Sequence, residues 1–381
     1  MKCAGIDCFS GAARQAVFGT VLTGVDDLLA PPADGIWLAP GFIDIQVNGF
    51  AGVDYNSPTT SQEEIARSIH AQFSAGVTRF FPTVITGEPE RMRGSLKNLS
   101  RAKAALKEGR AMEGFHVEGP HISPEDGPRG AHPLEWVRKP DVEEYKRWQE
   151  ASDGGVRLVT ISPEWPGTPA YIERLVKDGV AVSIGHTKAS GPQIADAVRA
   201  GASLSTHLGN GAHSVLPRHP NYIWEQLAED RLAASFIVDG IHLPSSFLRV
   251  ALRAKGVERS ILITDAVMPA TCAPGPYQIG GVAVELMADQ RVVLRGGTRL
   301  AGSSLRMDRG VENLMRLAGL SLREAVAMAT VNPARVGRIG GRQRGVATGE
   351  RADLVRFRYN EENKKIGIVE TYMSGERVYA H

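Results

Sequence analysis

The sequence predicts an α/β fold. Eight parallel strands close into a (β/α)8 TIM-like barrel, and a small β-sandwich domain is built from both chain ends. Three observations carry this. Eight short apolar or β-branched runs, each ending in polar residues, alternate with helix-like segments, the pattern of parallel strands joined by crossovers. Eight such units suit a closed barrel better than an open sheet. Finally, eight of the ten histidines (His116, His121, His132, His186, His207, His213, His219 and His242) lie at or just past the end of a run, and only His70 and His381 do not. In such barrels the functional groups gather at the carboxyl ends of the strands.

The runs, in order, are "APGFIDIQVNG", "VTRFFPTVIT", "AMEGFHVEGP", "VRLVTISPE", "AVSIGHT", "ASLSTHL", "AASFIVDGIH" and "SILITDA". Between them, Ser61 to Glu64 is a capping box that opens a helix running to about Ala75, with Gly76 as its stop. Tyr171 to Lys177 has the helical period and stops at Gly179. Ser190 before Pro192 marks another helix start, and Gly201 its end. "SLREAVAMATVNPARVG", residues 321–337, reads as helical throughout. Residues 1–39 and 341–381 read as short strands and turns, each too short for a core of its own. They are expected to pair as one small β domain beside a barrel at residues 40–340.

Composition narrows the function. The 381 residues are 43% apolar, enough for a large core, and 44 Lys plus Arg against 42 Asp plus Glu leave a formal charge of +2. That balance gives no case for nucleic acid or an acidic membrane surface as partner. No apolar run is long enough to span a bilayer, and Asp7 and Arg14 interrupt the stretch where a signal peptide needs apolar residues. Cys3, Cys8 and Cys272 fit neither a disulfide framework nor a CxxC metal motif, so a cytoplasmic setting is expected.

The chemistry begins at "GFHVEGP". Side chains alternate along a strand, so His116 and Glu118 face the same side. A carboxylate in a strand-rich interior is costly without a positive partner. His186 ends the fifth run and His207 the sixth. With Glu118 they make three N/O ligands from separate strands, leaving a fourth position open, the pattern of a catalytic zinc site. A lone strand-end histidine is more often a buried ring satisfied by backbone groups; the three together point to a metal. Asp265 ends the eighth run and faces the same mouth, where a carboxylate can carry a proton from water to a leaving group. It could instead cap a helix, but Met268-Pro269 is a poor helix start. His132, on the loop after the third strand, could hydrogen-bond a carbonyl oxygen as charge develops there, or simply stabilise the loop.

These residues resemble the N-acetylglucosamine-6-phosphate deacetylases of the amidohydrolase superfamily. The motifs are "PGFIDIQVNG", "GFHVEGPHI" with "RGAH", "GHT", "THLGN", "DGIH", "TDA", "AGSSLRM", "NPA" and "GERADLV". The resemblance implies a metal-dependent amidohydrolase barrel with the β-sandwich described above. It implies Glu118, His186 and His207 as metal ligands, Asp265 as acid/base and His132 as the group polarising the acetyl carbonyl. Asn210 and Gly211 match sugar-phosphate contacts. Arg218 and His242 match phosphate-binding positions that can reach across from a neighbouring subunit, so a homodimer is expected. Leu300, Ala301 and Gly302 lie where the family closes over the sugar.

Two departures stand out. Where many amidohydrolases carry His-x-His for a second metal, this chain has Gln46-Val47-Asn48. Amides are poor ligands beside imidazole, so one divalent metal per chain is expected, zinc first and ferrous iron as the other candidate. The loop "GNGAHSVLPRHPNYIW" also differs from the "NAM" form common in the family, and its extra His213 and His219 are expected to reshape the sugar pocket. The implied reaction is deacetylation of an N-acetyl amino-sugar phosphate. The competing readings are another N-acetylhexosamine, an N-acyl amino acid or a cyclic amide as substrate. A non-catalytic scaffold on the same fold is the reading from a different class.

Overall fold

The structure is a computed structural model and describes every residue except Ala33 and Gln343. Its centre is a parallel sheet of eight strands: Phe42–Val47, Val77–Ile85, Phe115–Glu118, Val156–Ile161, Ala181–Ile184, Leu204–Ser205, Ala233–Ile237 and Ser260–Ile263. These are the eight runs read from the sequence. The eighth strand closes on the first: the amide of Asp265 donates to Gln46 O at 2.9 Å, and that of Asn48 to Ala266 O at 2.7 Å. Each strand is followed by a helix packed outside the barrel. The helices at Gln62–Phe73 and Gly191–Arg199 open with the capping boxes of Ser61 and Ser190. Inside the barrel, Ile43, Ile45, Phe81, Leu158, Leu204, Ile237, Ile261 and Ile263 form an apolar plug.

Toward the mouth the filling turns polar. His116 is fully buried, with Nδ1 3.3 Å from Thr83 Oγ1 and Nε2 2.7 Å from Thr160 Oγ1. Burial pushes its pKa down to about 4, so the ring is neutral. His116 therefore does share the inward side with Glu118, but as a hydroxyl-bonded wedge beneath the site. His121 departs from the sequence expectation. It packs outside the barrel against Trp148 and Tyr171, at ring distances of 5.4 and 5.3 Å, and takes no part in the mouth.

Both chain ends contribute to one sheet of seven strands. Trp37–Pro40 pairs parallel with Lys2–Asp7 and antiparallel with Leu354–Asn360, joining the two ends. Phe18, Leu22 and Leu38 from one end pack with Leu354 and Tyr372 from the other. The stretch read as one helix over 321–337 is two, Leu322–Met328 and Val331–Val336. Pro333 explains the break. It lacks an N–H and would clash with the carbonyl four residues back, so it is tolerated only in the first turn of a new helix. The sequence reading also missed a three-stranded antiparallel sheet, Gly275–Ile279, Val282–Leu286 and Val292–Leu294, inserted between the eighth strand and its helix. Among the described residues, no helix is long and apolar enough to cross a membrane.

A buried charge cluster ties the barrel to the β domain. Arg79, on the second strand, donates to Asp353 Oδ2 at 2.5 Å, and Arg351 reaches the same oxygen at 2.7 Å. Asp353 is fully buried, which raises its pKa, but Arg79, Arg351 and Arg342 outweigh that and hold it at about 2. Removing one partner from a buried cluster leaves the others uncompensated. Asp353→Asn should therefore cost about 3 kcal/mol or more in urea unfolding; an unchanged midpoint would show that the arginines' other partners suffice, the Gly340 and Gly341 carbonyls at Arg79 and Glu113 at Arg351 among them. Because the folded pKa is depressed, this contribution is present above the ordinary carboxylate range and is lost as pH falls toward about 2.

Candidate active site

Glu118, His186 and His207 meet at the carboxyl ends of the third, fifth and sixth strands. Glu118 Oε1 lies 3.2 Å from His186 Nε2 and 2.9 Å from His207 Nε2, and the two ring nitrogens are 3.1 Å apart. All three side chains are buried. His186 Nδ1 is 2.8 Å from the carbonyl of Pro128, which can only accept, so Nδ1 carries the proton and a neutral His186 presents a bare Nε2 lone pair. A carboxylate oxygen and a bare nitrogen do not belong this close in a dry interior unless a positive charge sits between them. The separations fit one: donor atoms about 2.0–2.1 Å from a tetrahedral ion stand about 3.3 Å apart. The same demand shows in the surroundings of His207. Burial lowers the pKa of His207, yet Glu118 more than reverses this and raises it.

The backbone is bent to make this convergence. His186, His207 and Asp265 all have positive φ, at 49°, 29° and 49°, a region non-glycine residues rarely occupy and one that concentrates at functional sites. Gly211, also at positive φ, lies against His186; a Cβ there would stand 2.6 Å from His186 Nδ1.

Gln46 and Asn48 occupy the His-x-His positions and make a different use of them. Gln46 Nε2 donates to Glu118 Oε1 at 3.0 Å and to Asp265 Oδ1 at 3.2 Å, while Asn48 Nδ2 donates to Asp265 Oδ1 at 2.7 Å. Asp265 caps no helix. Its Oδ1 is fixed by the two amides, and its Oδ2 has no hydrogen-bond partner among the described residues. Burial first, and then the Glu118 charge, raise its pKa to about 6. His132 Nδ1 lies 2.8 Å from Thr86 Oγ1. Burial and the neighbouring His186 push its pKa down to about 3, so the ring is neutral.

These groups open onto a cavity of 380 Å³, within the range of small-molecule sites. Glu118, His132, His186, His207, Asn210, Gly211, His242, Asp265, Leu300, Ala301 and Gly302 all line it. The structure thus gathers every candidate but one. Arg218 is exposed on the loop after the sixth strand and does not line the cavity of its own chain. Nor does it make the ion pair to Glu225 that would mark it as a loop staple, among the described residues. His213 and His219 do not line the cavity either: His213 pairs with Tyr222 and Glu125, and His219 is exposed. Sequence reasoning missed the wall built by the inserted sheet, Ile279, Val282 and Val284. It also missed Thr86 behind His132, Asp239 behind His242, and Arg299 at the rim. The inserted hairpin did leave a signal. Gly280-Gly281, with φ of 52° and 87°, is a two-glycine turn between alternating runs.

Comparison with known proteins bears on this site. The Amidohydrolase family model matches residues 37–378. The N-acetylglucosamine-6-phosphate deacetylase of Bacillus subtilis is 35% identical over 85% of this chain and 81% of its own. The N-acetylgalactosamine-6-phosphate deacetylase of Shewanella is also 35% identical, over 90% of this chain and 83% of its own. Among solved structures, the N-acetyl-D-glucosamine-6-phosphate deacetylase of Mycobacterium smegmatis superposes with a TM-score of 0.89 at 29% identity, over all of both chains. A mutant of that enzyme was solved with N-acetyl-D-glucosamine-6-phosphate bound, and matches with a TM-score of 0.87 at 30% identity over 97% of this chain and 95% of the other.

The close approach of Gly211 to His186 gives a test of the ligand geometry. Gly211→Ala should displace the His186 ring and weaken divalent-metal affinity by about 10–100-fold, as loss of a ligand's support does, with the fold intact by circular dichroism. Unchanged affinity in a chelator competition would mean that His186 is not held as a ligand.

Proposed function

The chain belongs to the amidohydrolase family, and from that premise we propose that it hydrolyses the acetamido group of an N-acetyl amino-sugar phosphate. The substrate is N-acetyl-D-glucosamine 6-phosphate, and the products are D-glucosamine 6-phosphate and acetate. The observation that carries this is the placement of Asp265, its Oδ1 clamped by Gln46 and Asn48, beside the Glu118, His186 and His207 cluster in one cavity. The donor set suits one divalent ion per chain; zinc is our assignment, and ferrous iron fits the same ligands. Such an ion would supply Lewis acidity toward the acetamido carbonyl and toward water.

The chain's own residues do the rest. Asp265 Oδ2 takes the proton of the attacking water and returns it to the departing amine, without which nitrogen leaves too poorly. His132 Nδ1 lies 2.8 Å from Thr86 Oγ1; in the tautomer protonated at Nε2, the neutral ring can donate to the carbonyl oxygen as negative charge grows. Asn210, Gly211, His242 and the Leu300 to Gly302 segment surround the sugar. The exposed position of Arg218 suits a contact made to a neighbouring subunit's phosphate, in a homodimer of this cytoplasmic enzyme. N-acetylgalactosamine 6-phosphate is the second reading, favoured by the Shewanella relative's equal identity.

Acetate release from N-acetylglucosamine 6-phosphate, its galactosamine epimer and their unphosphorylated forms tests the reading. A preference for the phosphorylated glucosamine form is expected; activity confined to N-acyl amino acids or cyclic amides would overturn it. Arg218→Ala should raise KM for the phosphorylated sugar and leave the unphosphorylated one unchanged, whereas equal loss on both would make Arg218 structural. Asp265→Asn should keep its metal and lose roughly a thousandfold or more in kcat, since it removes both proton transfers. The base must be ionised, and burial holds Asp265 at about 6 before any cation lowers it. The kcat/KM profile should therefore fall on the acid side at or below about pH 6, and a limb centred well above pH 7 would assign the base elsewhere.

A further inference from the structure

We propose that Arg299 binds the substrate's phosphate from within the same chain, in exchange for Asp126. This rests on the phosphosugar reading above and deepens it. Among the described residues lining the cavity, Arg299 is the only arginine or lysine. It lies just before Leu300, where the inserted sheet returns to the barrel, and meets the loop that follows the third strand. Its guanidinium grips an anion already. Nη1 is 2.7 Å from Asp126 Oδ1, and Nη2 donates to Asp126 Oδ2 at 3.0 Å. This is the two-pronged geometry with which arginine also holds phosphate.

The position is suitable. Nη1 also donates to Gly130 O at 3.2 Å, and a Cβ on Gly130 would lie 3.2 Å from His186 Cε1. One residue therefore separates Arg299 from the ring that marks the reacting end of the cavity. A pyranose whose 2-acetamido carbonyl sits at that end carries its 6-phosphate toward the rim, where Arg299 stands. The exchange is easy to make. Asp126 and Arg299 are both exposed, so their pair is solvent-screened and weak. Asp126 keeps a second partner in Arg129, at 3.4 Å, when Arg299 leaves. The loop does not depend on the pair alone, because Arg129 also donates to the carbonyls of Pro124 and His132.

The rival account is that Arg299 and Asp126 merely fasten the inserted sheet to the loop. Steady-state kinetics on the metal-loaded enzyme separate the two, with N-acetylglucosamine 6-phosphate and unphosphorylated N-acetylglucosamine as substrates. Under the proposal, Arg299→Ala raises KM for the phosphorylated sugar by about tenfold or more, the scale of a lost charged hydrogen bond. It leaves kcat and the unphosphorylated substrate nearly unchanged, and Arg299→Lys recovers part of the loss. Asp126→Asn acts in the opposite direction, lowering KM for the phosphorylated sugar by freeing the guanidinium. If both variants instead weaken both substrates by a common factor, the pair is a fastener and the proposal is overturned. A wild-type enzyme that requires phosphate, with Arg299→Ala still discriminating as strongly, also overturns it while leaving the substrate reading in place. A wild-type enzyme indifferent to phosphate overturns the substrate reading itself.

Discussion

A buried carboxylate set against two imidazole nitrogens is the constraint to which the rest of the barrel mouth conforms. Glu118 Oε1 has His186 Nε2 and His207 Nε2 within 3.2 Å. Held in a dry interior without a cation, that arrangement crowds lone pairs and forces a proton onto the cluster. The surrounding chain keeps it assembled. Three residues accept left-handed backbone conformations to aim their side chains inward. The Pro128 carbonyl fixes the tautomer of His186, and Gly211 lets its loop lie against the ring. Beneath, His116 is spent on hydroxyl contacts, so the mouth stands on a polar layer over an apolar plug.

The amide pair at positions 46 and 48 gives this mouth its asymmetry. A primary amide offers N–H donors where imidazole would offer a lone pair. Donors suit carboxylates, so Gln46 bridges Glu118 to Asp265 and Asn48 holds Asp265 a second time. The result separates two acids by role. Glu118 lies against the histidines, which draw its pKa well below the ordinary carboxylate range in spite of burial. Asp265 has one oxygen engaged and one free, and burial draws its pKa upward. Environments that push two carboxylates apart in this way suit the separate parts proposed for them, Glu118 as a ligand and Asp265 as the proton carrier.

The barrel and the convergence of Glu118, His186 and His207 were legible because each depends on a short-range pattern. Strand ends show as the change from β-branched to polar residues, and side-chain alternation sets Glu118 and His116 on one face. The same rule overreached at His121, where the chain has already left the strand and the ring falls among Trp148 and Tyr171. Proximity to a strand end does not fix direction in a loop. The inserted sheet was missed although Gly280-Gly281 marks its turn, because strand and helix alternation dominated the reading there. Pro333 likewise marked the break between the last two helices. Arg299 could not have been found from sequence at all. The part proposed for it depends on the inserted sheet meeting the loop after the third strand, a contact between segments far apart in the chain.

The central claim, one divalent ion held by Glu118, His186 and His207 serving one acetamido hydrolysis, is tested most directly by metal titration. Protein stripped of metal by chelator would be titrated with zinc while acetate release from N-acetylglucosamine 6-phosphate is followed. The account predicts activity that rises in proportion to added metal and stops rising at one equivalent per chain. A break at two equivalents would contradict the role given to Gln46 and Asn48, and activity independent of metal would contradict the role given to the cluster itself.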